Sequence, residues 1–458
     1  MLELLNPATE RPFRSIPETP EADVQAALLR MRGAQAEWRQ VALARRIGVA
    51  EQFIAAFRDL TEPVALDITR QMGKPLAAAR REVARMLERA EVMCRLAPAA
   101  LGDDPLPEHE GFHRFIRREP LGVVLDIPAW NYPLLIAVNV VVPALIAGNG
   151  VVLKHARLTP LCGDAFVEAF RKTDLPPDLI ASVHLSHDGI RRLIESHAVD
   201  YVAFTGSVPG GREVYRAASA ALLDMGLELG GKDPALVLED CNFPFTVANL
   251  VDGAFYNSGQ SCCAIERIYV EHPLFDRFVE AFVAEVKKYR VGDPEDPATD
   301  LGPLAQKKAL EWMEFQTGDA VARGARVLAG GRRLREPGYY FEPTVLAAVD
   351  HSMSVMREES FGPIIGIQAV EGADEGIALM NDSPYGLTAS VWTEDAGRAQ
   401  ALLDRVAAGT VFANRCDYLD PELPWVGIKD SGMGCTLSHL GYLQLTRPKS
   451  FHLRTRTD

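Results

Sequence analysis

The chain has 458 residues, and its 48 lysine and arginine residues against 62 aspartate and glutamate residues give a formal net charge of −14. This acidic balance argues against nucleic acid as the main partner, because phosphate binding requires clustered cations. A single hydrophobic core stops growing near about 250–300 residues, so the length predicts two or three domains.

Cysteine usage and hydropathy restrict the environment of the protein. Seven cysteines are scattered along the chain, which disfavours a disulfide-stapled secreted domain, and no Cys or His spacing predicts a metal site. The longest apolar stretch, Leu134 to Gly148, is shorter than the roughly 20 residues of a membrane span. The N-terminal residues do not resemble a signal peptide. We therefore expect a cytoplasmic protein without a metal site, a membrane partner or a nucleic-acid partner.

The first hundred residues are predicted to be mainly helical. Apolar residues recur at helical spacing from Val24 to Trp38, after a Thr19-Pro20 pair that should begin the helix. Further helices are expected from about Leu43 to Leu60 and from about Leu76 to Leu96. The segment Asp103–Glu108 interrupts this pattern and should be a connection.

From about residue 112, short strands alternate with helices. Buried strands are predicted at Gly122–Ile127, Val151–Lys154 and Val199–Phe204, with helices at Leu134–Ala147, from Thr159-Pro160 and after Pro209. This alternation predicts a parallel, doubly wound sheet, in which ligands bind at the carboxyl ends of the strands.

A second alternating series predicts a second α/β domain. Its strands are expected at Pro234–Leu238, Arg267–Val270, Ala325–Ala329, Ile364–Ala369 and Ala389–Thr393, and its helices at Thr246–Ser258 and Leu274–Tyr289. The tail Lys449–Arg454 is predicted to be a lone strand with nothing after it to pair with.

Two segments of the second half could carry chemistry. In Asn257–Cys263 a thiol pair follows the end of a helix, where Cys262 could act as a nucleophile, although cysteines are more often inert packing. In Leu227–Pro234 the carboxyl group of Glu228 has apolar and glycine neighbours, which should raise its pKa and suit it to accept a proton from water. Glu228 precedes Cys262 by 34 residues.

These segments resemble the aldehyde dehydrogenase superfamily. In that family a glutamate in a Glu-Leu-Gly-Gly-Lys segment precedes the cysteine of a Gly-Gln-x-Cys segment by the same interval. Further matching segments, all in family order, are Trp130–Pro133, Val152–Lys154, Phe204–Ser207, Glu359–Pro363, Asn381–Leu387 and Lys429–Gly434. The resemblance covers essentially the whole chain. It implies an α/β fold with two doubly wound domains, one Rossmann-like and one catalytic, and a small β oligomerisation element.

The resemblance also implies domain boundaries. The dinucleotide-binding domain would comprise residues 1–101 and 120–227, the catalytic domain 228–439, and the oligomerisation element 102–119 and 440–458. Strands near His113–Arg118 and Ser450–Arg454 would form that element. Because unpaired strand edges are a liability unless a partner covers them, we expect a homodimer or homotetramer.

The implied activity is oxidation of an aldehyde to a carboxylate by NAD or NADP and water, as in the hydrolytic, non-acylating members of the family. Cys262 would attack the aldehyde carbon, and the side-chain amide of Asn131 would stabilise the oxyanion. Glu228 would activate the water that hydrolyses the thioester. Cys263 is expected to shape the pocket.

The cofactor site implied by the resemblance departs from the standard dinucleotide fingerprint, because no GxGxxG segment follows a strand. The expected cofactor-binding residues are Trp130, Lys154, Arg157, Thr205, Gly206, Ser207, Gly211, Glu359 and Phe361. NAD-preferring members often carry a glutamate three residues after the lysine, whereas this chain has Arg157. A guanidinium can bind a 2′-phosphate, so tolerance of NADP is expected.

Three other interpretations stay open on the sequence. A coenzyme-A-acylating dehydrogenase is disfavoured by Glu228, and a thiol hydrolase by the lack of a recognisable base motif. An inactive structural relative should have lost one of its catalytic residues. The aldehyde itself is not identified. Tyr132 and Trp425 could form an aromatic wall, and Arg415 could meet the carboxylate of a semialdehyde.

Overall fold

The computed structural model describes residues 1–457 as an α/β protein with two mainly parallel sheets. One sheet has six strands and the other seven, and a three-stranded antiparallel sheet and an N-terminal hairpin complete the strand content of this range. The fold class expected from the sequence is thereby confirmed.

The strands of the described range are β1 (Leu2–Asn6), β2 (Arg11–Ile16), β3 (Asp104–Pro105), β4 (Phe112–Pro120), β5 (Val123–Ile127), β6 (Gly150–Leu153), β7 (Ile180–Ser182), β8 (Tyr201–Thr205), β9 (Asp224–Glu228), β10 (Asp233–Val237), β11 (Ile265–Glu271), β12 (Arg326–Ala329), β13 (Thr344–Ala347), β14 (Ile364–Val370), β15 (Thr388–Trp392), β16 (Thr410–Ala413), β17 (Gly432–Met433) and β18 (Thr446–Arg454).

The α-helices of the same range are α1 (Glu21–Trp38), α2 (Leu43–Arg58), α3 (Thr61–Met72), α4 (Leu76–Leu101), α5 (Pro133–Ala147), α6 (Pro160–Phe170), α7 (His187–Glu195), α8 (Val208–Ala220), α9 (Phe243–Phe255), α10 (His272–Val286), α11 (Lys307–Ala322), α12 (Ser354–Arg357), α13 (Ala373–Asn381), α14 (Ala396–Leu403) and α15 (Ser438–Gln444). Across residues 1–457, none combines the length and apolar character that crossing a membrane requires.

The six-stranded sheet has the order β17-β9-β8-β5-β6-β7, and all of its strands except β17 are parallel. Thr205 pairs with Glu228 at the ends of β8 and β9, and Ile127 pairs with Phe204. The carboxyl ends of β9, β8, β5 and β6 therefore lie side by side. At this edge of the sheet, the segments that contain Glu228, Thr205, Pro128 and Lys154 therefore lie next to one another.

The seven-stranded sheet has the order β12-β13-β14-β11-β10-β15-β16, with β12 as its one antiparallel member. β10 begins five residues after Glu228, and β11 begins three residues after Cys262. Asp233 pairs with Ile265 at the start of these parallel neighbours. Cys262 thus lies at the amino ends of this sheet, whereas Glu228 lies at a carboxyl end of the other, so the two sheets meet at the site.

The C-terminal strand has no later strand to pair with, and it pairs with the earlier strand that the resemblance assigned to the same small β element. β18 lies antiparallel to β4 along its whole length, from Thr446 opposite Pro120 to Arg454 opposite Phe112, and β3 pairs with the other side of β4. The rings of Phe115 and Phe451 stack with their centroids 4.4 Å apart. More than 300 residues separate the paired strands, so no local pattern indicates this pairing.

Three features of the N-terminal region were missed or misplaced. β1 and β2 form a hairpin, and α3 is a separate helix within a region predicted only as helical in general. α1 begins at Glu21, with Pro20 rather than Thr19 at the capping position. The Thr19 hydroxyl instead accepts a hydrogen bond from the His184 backbone N–H at 2.9 Å, a tertiary contact that competes with local capping.

Four phenylalanines pack together between α2 and α6. The ring of Phe53 lies 5.5 Å from that of Phe57, 5.6 Å from that of Phe166 and 4.2 Å from that of Phe170, centroid to centroid. Phe53 is fully buried. The cluster fixes these helices beneath the six-stranded sheet.

We predict that Phe53→Ala lowers the free energy of unfolding by about 3–5 kcal/mol, because it removes buried apolar surface and leaves a cavity. Leu29→Ala is the control, since Leu29 is 76% exposed on α1 and its loss should change stability by less than about 0.5 kcal/mol. Chemical denaturation of both variants tests this. Equal destabilisation by the two changes would contradict the assigned core.

Candidate active site

The turn before Cys262 has an unusual backbone conformation. Asn257, Ser258 and Gly259 have φ angles of 52°, 56° and 69°, a left-handed run of three residues. Each non-glycine residue in this conformation costs roughly 1–2 kcal/mol, so neighbouring groups must hold the turn. At Gly259 a Cβ atom would also collide with the carbonyl oxygen of Gly362. The turn therefore presents Cys262 in a conformation that local propensity does not favour.

Buried hydrogen bonds hold this turn. The Asn257 side-chain amide donates to the carbonyl oxygen of Gln260 at 3.0 Å and to that of Asn131 at 3.3 Å. The Ser258 hydroxyl donates to the carbonyl oxygen of Gly302 at 2.8 Å. These bonds join the turn to the β5–α5 connection, which carries Asn131, and to the segment after α10.

The two adjacent cysteines differ in accessibility. Cys262 is partly exposed, whereas Cys263 is 3% exposed and its sulfur donates to Asp417 Oδ1 at 3.1 Å. The adjacent Cys262 and burial raise the pKa of Cys263 well above that of a free thiol. Because the thiolate is the nucleophilic form, Cys262 is the better placed of the two sulfurs.

Asn131 is fixed at the start of α5. Its side-chain amide donates to the carbonyl oxygen of Gln260 at 3.2 Å, and its own carbonyl oxygen accepts from Lys74 Nζ at 2.8 Å. Lys74 is buried and paired with Glu82, whose other carboxylate oxygen accepts from the Leu134 backbone N–H at 2.9 Å. Sequence reasoning missed this pair, because its bonds to Asn131 and Leu134 depend on the packing of α4 and the residues before it against α5.

Glu228 lies in a mainly enclosed setting at the end of β9. Burial raises the pKa of its carboxyl group, and hydrogen bonds from Thr436 and Thr205 and the charge of Arg89 oppose that rise. Thr205 Oγ1 lies 3.3 Å from Glu228 Oε2. Glu228 lines a cavity of about 20 Å³ with Thr205, Thr436 and Asn139, which has room for about one water molecule.

The segment after Glu228 contacts both Cys262 and Glu359. A Cβ atom on Gly231 would lie 2.7 Å from the carbonyl oxygen of Cys262, and a Cβ on Gly230 would collide with the Glu359 carboxylate. Glu359 Oε1 accepts from the Gly231 backbone N–H at 3.1 Å. The two glycines therefore allow this close approach, and they bring three of the predicted site segments together.

A buried ion pair supports the segment around Glu359. Lys232 Nζ lies 2.7 Å from Glu266 Oε2, and Glu266 accepts from the backbone N–H groups of Ser360 and Phe361, each at 2.8 Å. Burial and the charge of Glu266 raise the pKa of Glu359 to about 8. Glu266 was not predicted, because the sequence pattern of a strand does not show which distant residues pair with an acidic side chain in it.

Two residues predicted to bind the cofactor, Lys154 and Arg157, follow the carboxyl end of β6. Lys154 is 3% exposed and, within residues 1–457, has no carboxylate within 4.0 Å. Burial and the charge of Arg157 lower its pKa to about 8. Arg157 Nη1 lies 3.2 Å from Glu18 Oε1, and both side chains are 42% exposed. Glu18 lies 139 residues away in sequence and was not predicted.

Four of the predicted cofactor residues lie where β8 ends and α8 begins. Ser207 caps the helix by accepting from the Gly210 backbone N–H at 3.3 Å. Thr205 contacts Glu228 as described, and the Gly206 backbone N–H donates to the Glu228 carbonyl oxygen at 3.0 Å. A Cβ on Gly211 would lie 2.6 Å from the Leu229 side chain, so this glycine permits close packing.

These groups fit a dinucleotide. The start of a helix suits a pyrophosphate through its dipole and backbone N–H groups, and an amine without a nearby carboxylate suits ribose hydroxyls. Trp130 and Phe361 lie edge to face with ring centroids 5.5 Å apart, which connects the β5 end to the Glu359 segment. No group of three or more metal-binding side chains occurs in the described part of the chain.

Two tyrosines lie next to the segment that contains the thiol. The rings of Tyr132 and Tyr256 stack with centroids 5.8 Å apart, and Tyr256 Oη donates to Ser261 Oγ at 3.0 Å. Trp425 is 4% exposed, so it is mainly a core residue. The guanidinium of Arg415, which the sequence offered for a substrate carboxylate, lies 3.5 Å above the Tyr418 ring.

Comparison with known proteins agrees with this arrangement. The family model for the aldehyde dehydrogenase family matches residues 1–451. The chain is 35% identical, over 95% of its length and 94% of the relative's, to the succinate semialdehyde dehydrogenase [NAD(P)+] Sad of Escherichia coli strain K12.

Solved structures are similar over almost the whole chain. The structure of Gox0499 has a TM-score of 0.96 at 33% identity and covers 99% of both chains. That of succinic semialdehyde dehydrogenase from Streptococcus pyogenes in complex with NADP+ has a TM-score of 0.95 at 29% identity, covering 99% of this chain and 100% of the other. Together with the full-length family match, these similarities show that the chain belongs to the aldehyde dehydrogenase family.

Proposed function

We propose that this aldehyde dehydrogenase, which uses NAD⁺ or NADP⁺, performs its chemistry with Cys262 as nucleophile, Asn131 as oxyanion donor and Glu228 as general base. The proposal rests on the hydrogen bonds that join Asn131 to the turn before Cys262. The Asn131 side-chain amide lies 3.2 Å from the carbonyl oxygen of Gln260, two residues before the thiol. An amide donor and an accessible sulfur thus occupy one rigid site.

The first step is attack by the Cys262 thiolate on the aldehyde carbon, which forms a C–S bond and a thiohemiacetal. The oxyanion receives hydrogen bonds from the Asn131 side chain and from the backbone N–H of Cys262. A bound NAD⁺ or NADP⁺ supplies the hydride acceptor, and Trp130, Lys154 and Glu359 would hold it. Loss of hydride leaves a thioester on Cys262.

The second step is hydrolysis of the thioester. Glu228 accepts a proton from water, whose oxygen then attacks the acyl carbon and releases the carboxylate and the Cys262 thiol. The small cavity beside Glu228, with hydrogen bonds from Thr205 and Thr436, supports this role. A base with space for water favours hydrolysis over transfer to coenzyme A.

The substrate proposal follows from the relatives. Curated relatives at 33–35% identity are named succinate semialdehyde dehydrogenases. We therefore take an aldehyde with a distal carboxylate as the first substrate to test, with the free acid as product.

We also propose the domain division and an oligomer. The division is 1–101 with 120–227, 228–439, and 102–119 with 440–458. The separate large sheets and the small sheet support it, although the short strand β17 of the second unit joins the six-stranded sheet. β18 exposes one edge of the small sheet, and four of its nine residues are Arg, Lys or His. An edge of this length is stabilised when a second copy covers it, which favours a homodimer or homotetramer.

We predict that Cys262→Ala abolishes aldehyde-dependent cofactor reduction while cofactor binding survives, because the nucleophile alone is removed. Cys263→Ala is the matched control and should keep most activity. Absorbance of the reduced nicotinamide and a cofactor-binding titration provide the two measurements. A dead Cys263→Ala beside an active Cys262→Ala would overturn the assignment.

We predict that Glu228→Gln lowers steady-state turnover by roughly 10²–10⁴-fold, the range for a lost general base, while a first-turnover burst of reduced cofactor remains. In the wild type, the raised pKa of Glu228 should place the acid-side loss of turnover at a higher pH than an ordinary glutamate would, because the base acts only when ionised. Stopped-flow absorbance and a pH profile test both points. Joint loss of burst and turnover would show that Glu228 acts before the thioester forms.

We predict that Arg157→Glu lowers kcat/KM for NADP⁺ by about one to two orders of magnitude, the scale of hydrogen bonds to a charged group, and that NAD⁺ efficiency holds or rises. The variant would place two carboxylates, at 157 and at Glu18, near a 2′-phosphate. Arg171→Glu, an exposed change of the same charge, is the control. Equal losses with both cofactors, or none, would show that Arg157 does not contact the 2′-position.

A further inference from the structure

Among residues 1–457, a buried arginine near the site forms no ion pair with a carboxylate. Arg89 lies on α4 and is 8% exposed. Its Nη1 atom donates to the carbonyl oxygen of Leu135 and to Asn139 Oδ1, each at 3.0 Å. Within residues 1–457, no aspartate or glutamate oxygen lies within 4.0 Å of its guanidinium. Isolated buried charges are costly, so a guanidinium of this kind usually has an anion beside it.

The remaining donors of Arg89 are available. In the described range, Nε and Nη2 have no hydrogen-bond acceptor in the protein. Neither atom is completely enclosed. Both atoms therefore keep some accessible surface, although the side chain as a whole is buried. Two N–H groups of one planar guanidinium suit a carboxylate, which can accept both.

The position of Arg89 relates it to the reacting groups. Leu135 and Asn139 lie on α5, the helix that follows Asn131, and Asn139 lines the same cavity as Glu228. Burial lowers the pKa of Arg89 to about 10, and the nearby carboxylates of Glu228 and Glu82 oppose this, with a smaller contribution from Cys263. Arg89 thus lies within electrostatic range of both the proposed base and the residue next to the nucleophile.

We infer that Arg89 is a specificity-determining residue that binds the distal carboxylate of the aldehyde substrate. The inference rests on the proposed function and deepens it, because it assigns to this chain's own side chain the recognition of a carboxylated aldehyde. Leu135 and Asn139 fix one edge of the guanidinium, so the free edge meets the substrate without further ordering.

Arg415 is the other arginine considered for this role, and its surroundings are different. Its side chain is exposed, and its guanidinium covers the Tyr418 ring. An exposed cation attracts anions only weakly because water screens it, whereas a desolvated guanidinium discriminates strongly. Arg89 is therefore the better anchor.

The test compares two aldehydes of equal chain length, succinate semialdehyde and butanal, on the wild type and on Arg89→Met. We expect kcat/KM for succinate semialdehyde to fall about 10- to 100-fold, mainly through KM, because a charge-assisted pair is lost. Butanal should change less than about threefold. Arg80→Met is the control, since Arg80 lies on the same helix, is exposed and pairs only with Glu62.

A binding measurement separates this inference from the proposed function. Succinate carries the same carboxylate without an aldehyde, so it should raise the melting temperature of the wild type but not that of Arg89→Met. If no aldehyde is oxidised but this stabilisation occurs and depends on Arg89, the proposed function fails and the carboxylate site stands. If the enzyme oxidises aldehydes but neither succinate nor a distal carboxylate depends on Arg89, the inference fails alone.

A second variant covers the case in which Arg89→Met does not fold. Asn139→Ala keeps the guanidinium but removes an acceptor that orients it, so it should raise KM for succinate semialdehyde selectively and by a smaller factor. Equal losses of kcat with both aldehydes, together with a displaced acid limb of the pH profile, would overturn the inference, because Arg89 would then act through Glu228.

Discussion

The junction between Asn131 and the left-handed turn before Cys262 is the constraint on which the site depends. The turn is unfavourable by itself, and it persists because buried amides join it to a segment from the other sheet. The carbonyl oxygen of Asn131 in turn accepts a hydrogen bond from Lys74, which is paired with Glu82. The proposed oxyanion donor and the proposed nucleophile are therefore held by one network rather than by two independent loops.

Burial where the two sheets meet also displaces the pKa values of the ionisable groups of the site. Glu228 and Glu359 are both largely enclosed, and burial raises the pKa of each, to about 8 for Glu359, while burial lowers that of Lys154 to about 8. Ionisable groups with displaced pKa values concentrate where an enzyme binds charge or transfers protons. Here Glu228 and Lys154 lie at carboxyl ends of strands in the six-stranded sheet, and the buried Lys232–Glu266 pair holds the segment that contains Glu359.

Much of the fold could be predicted from the sequence, because hydrophobic periodicity and strand–helix alternation are local. The strands around Val123–Ile127 and Ile265–Glu271 lie close to their predicted positions. The features that were missed depend on contacts distant in sequence, such as the contact of Thr19 with His184 and the Glu18 partner of Arg157. The motifs similarly predicted segments that the structure brings together, but not the turn geometry at Asn257 or the position of Arg89.

The most direct test of the account is to identify the acylated atom. Glu228→Gln should accumulate the thioester when it is mixed with aldehyde and NAD⁺ or NADP⁺, because water activation is impaired. Acid quenching followed by peptide mass spectrometry would then locate the acyl group. The account predicts an acyl adduct on Cys262 that depends on the cofactor. An adduct on Cys263, or none at either sulfur while reduced cofactor forms, would contradict it.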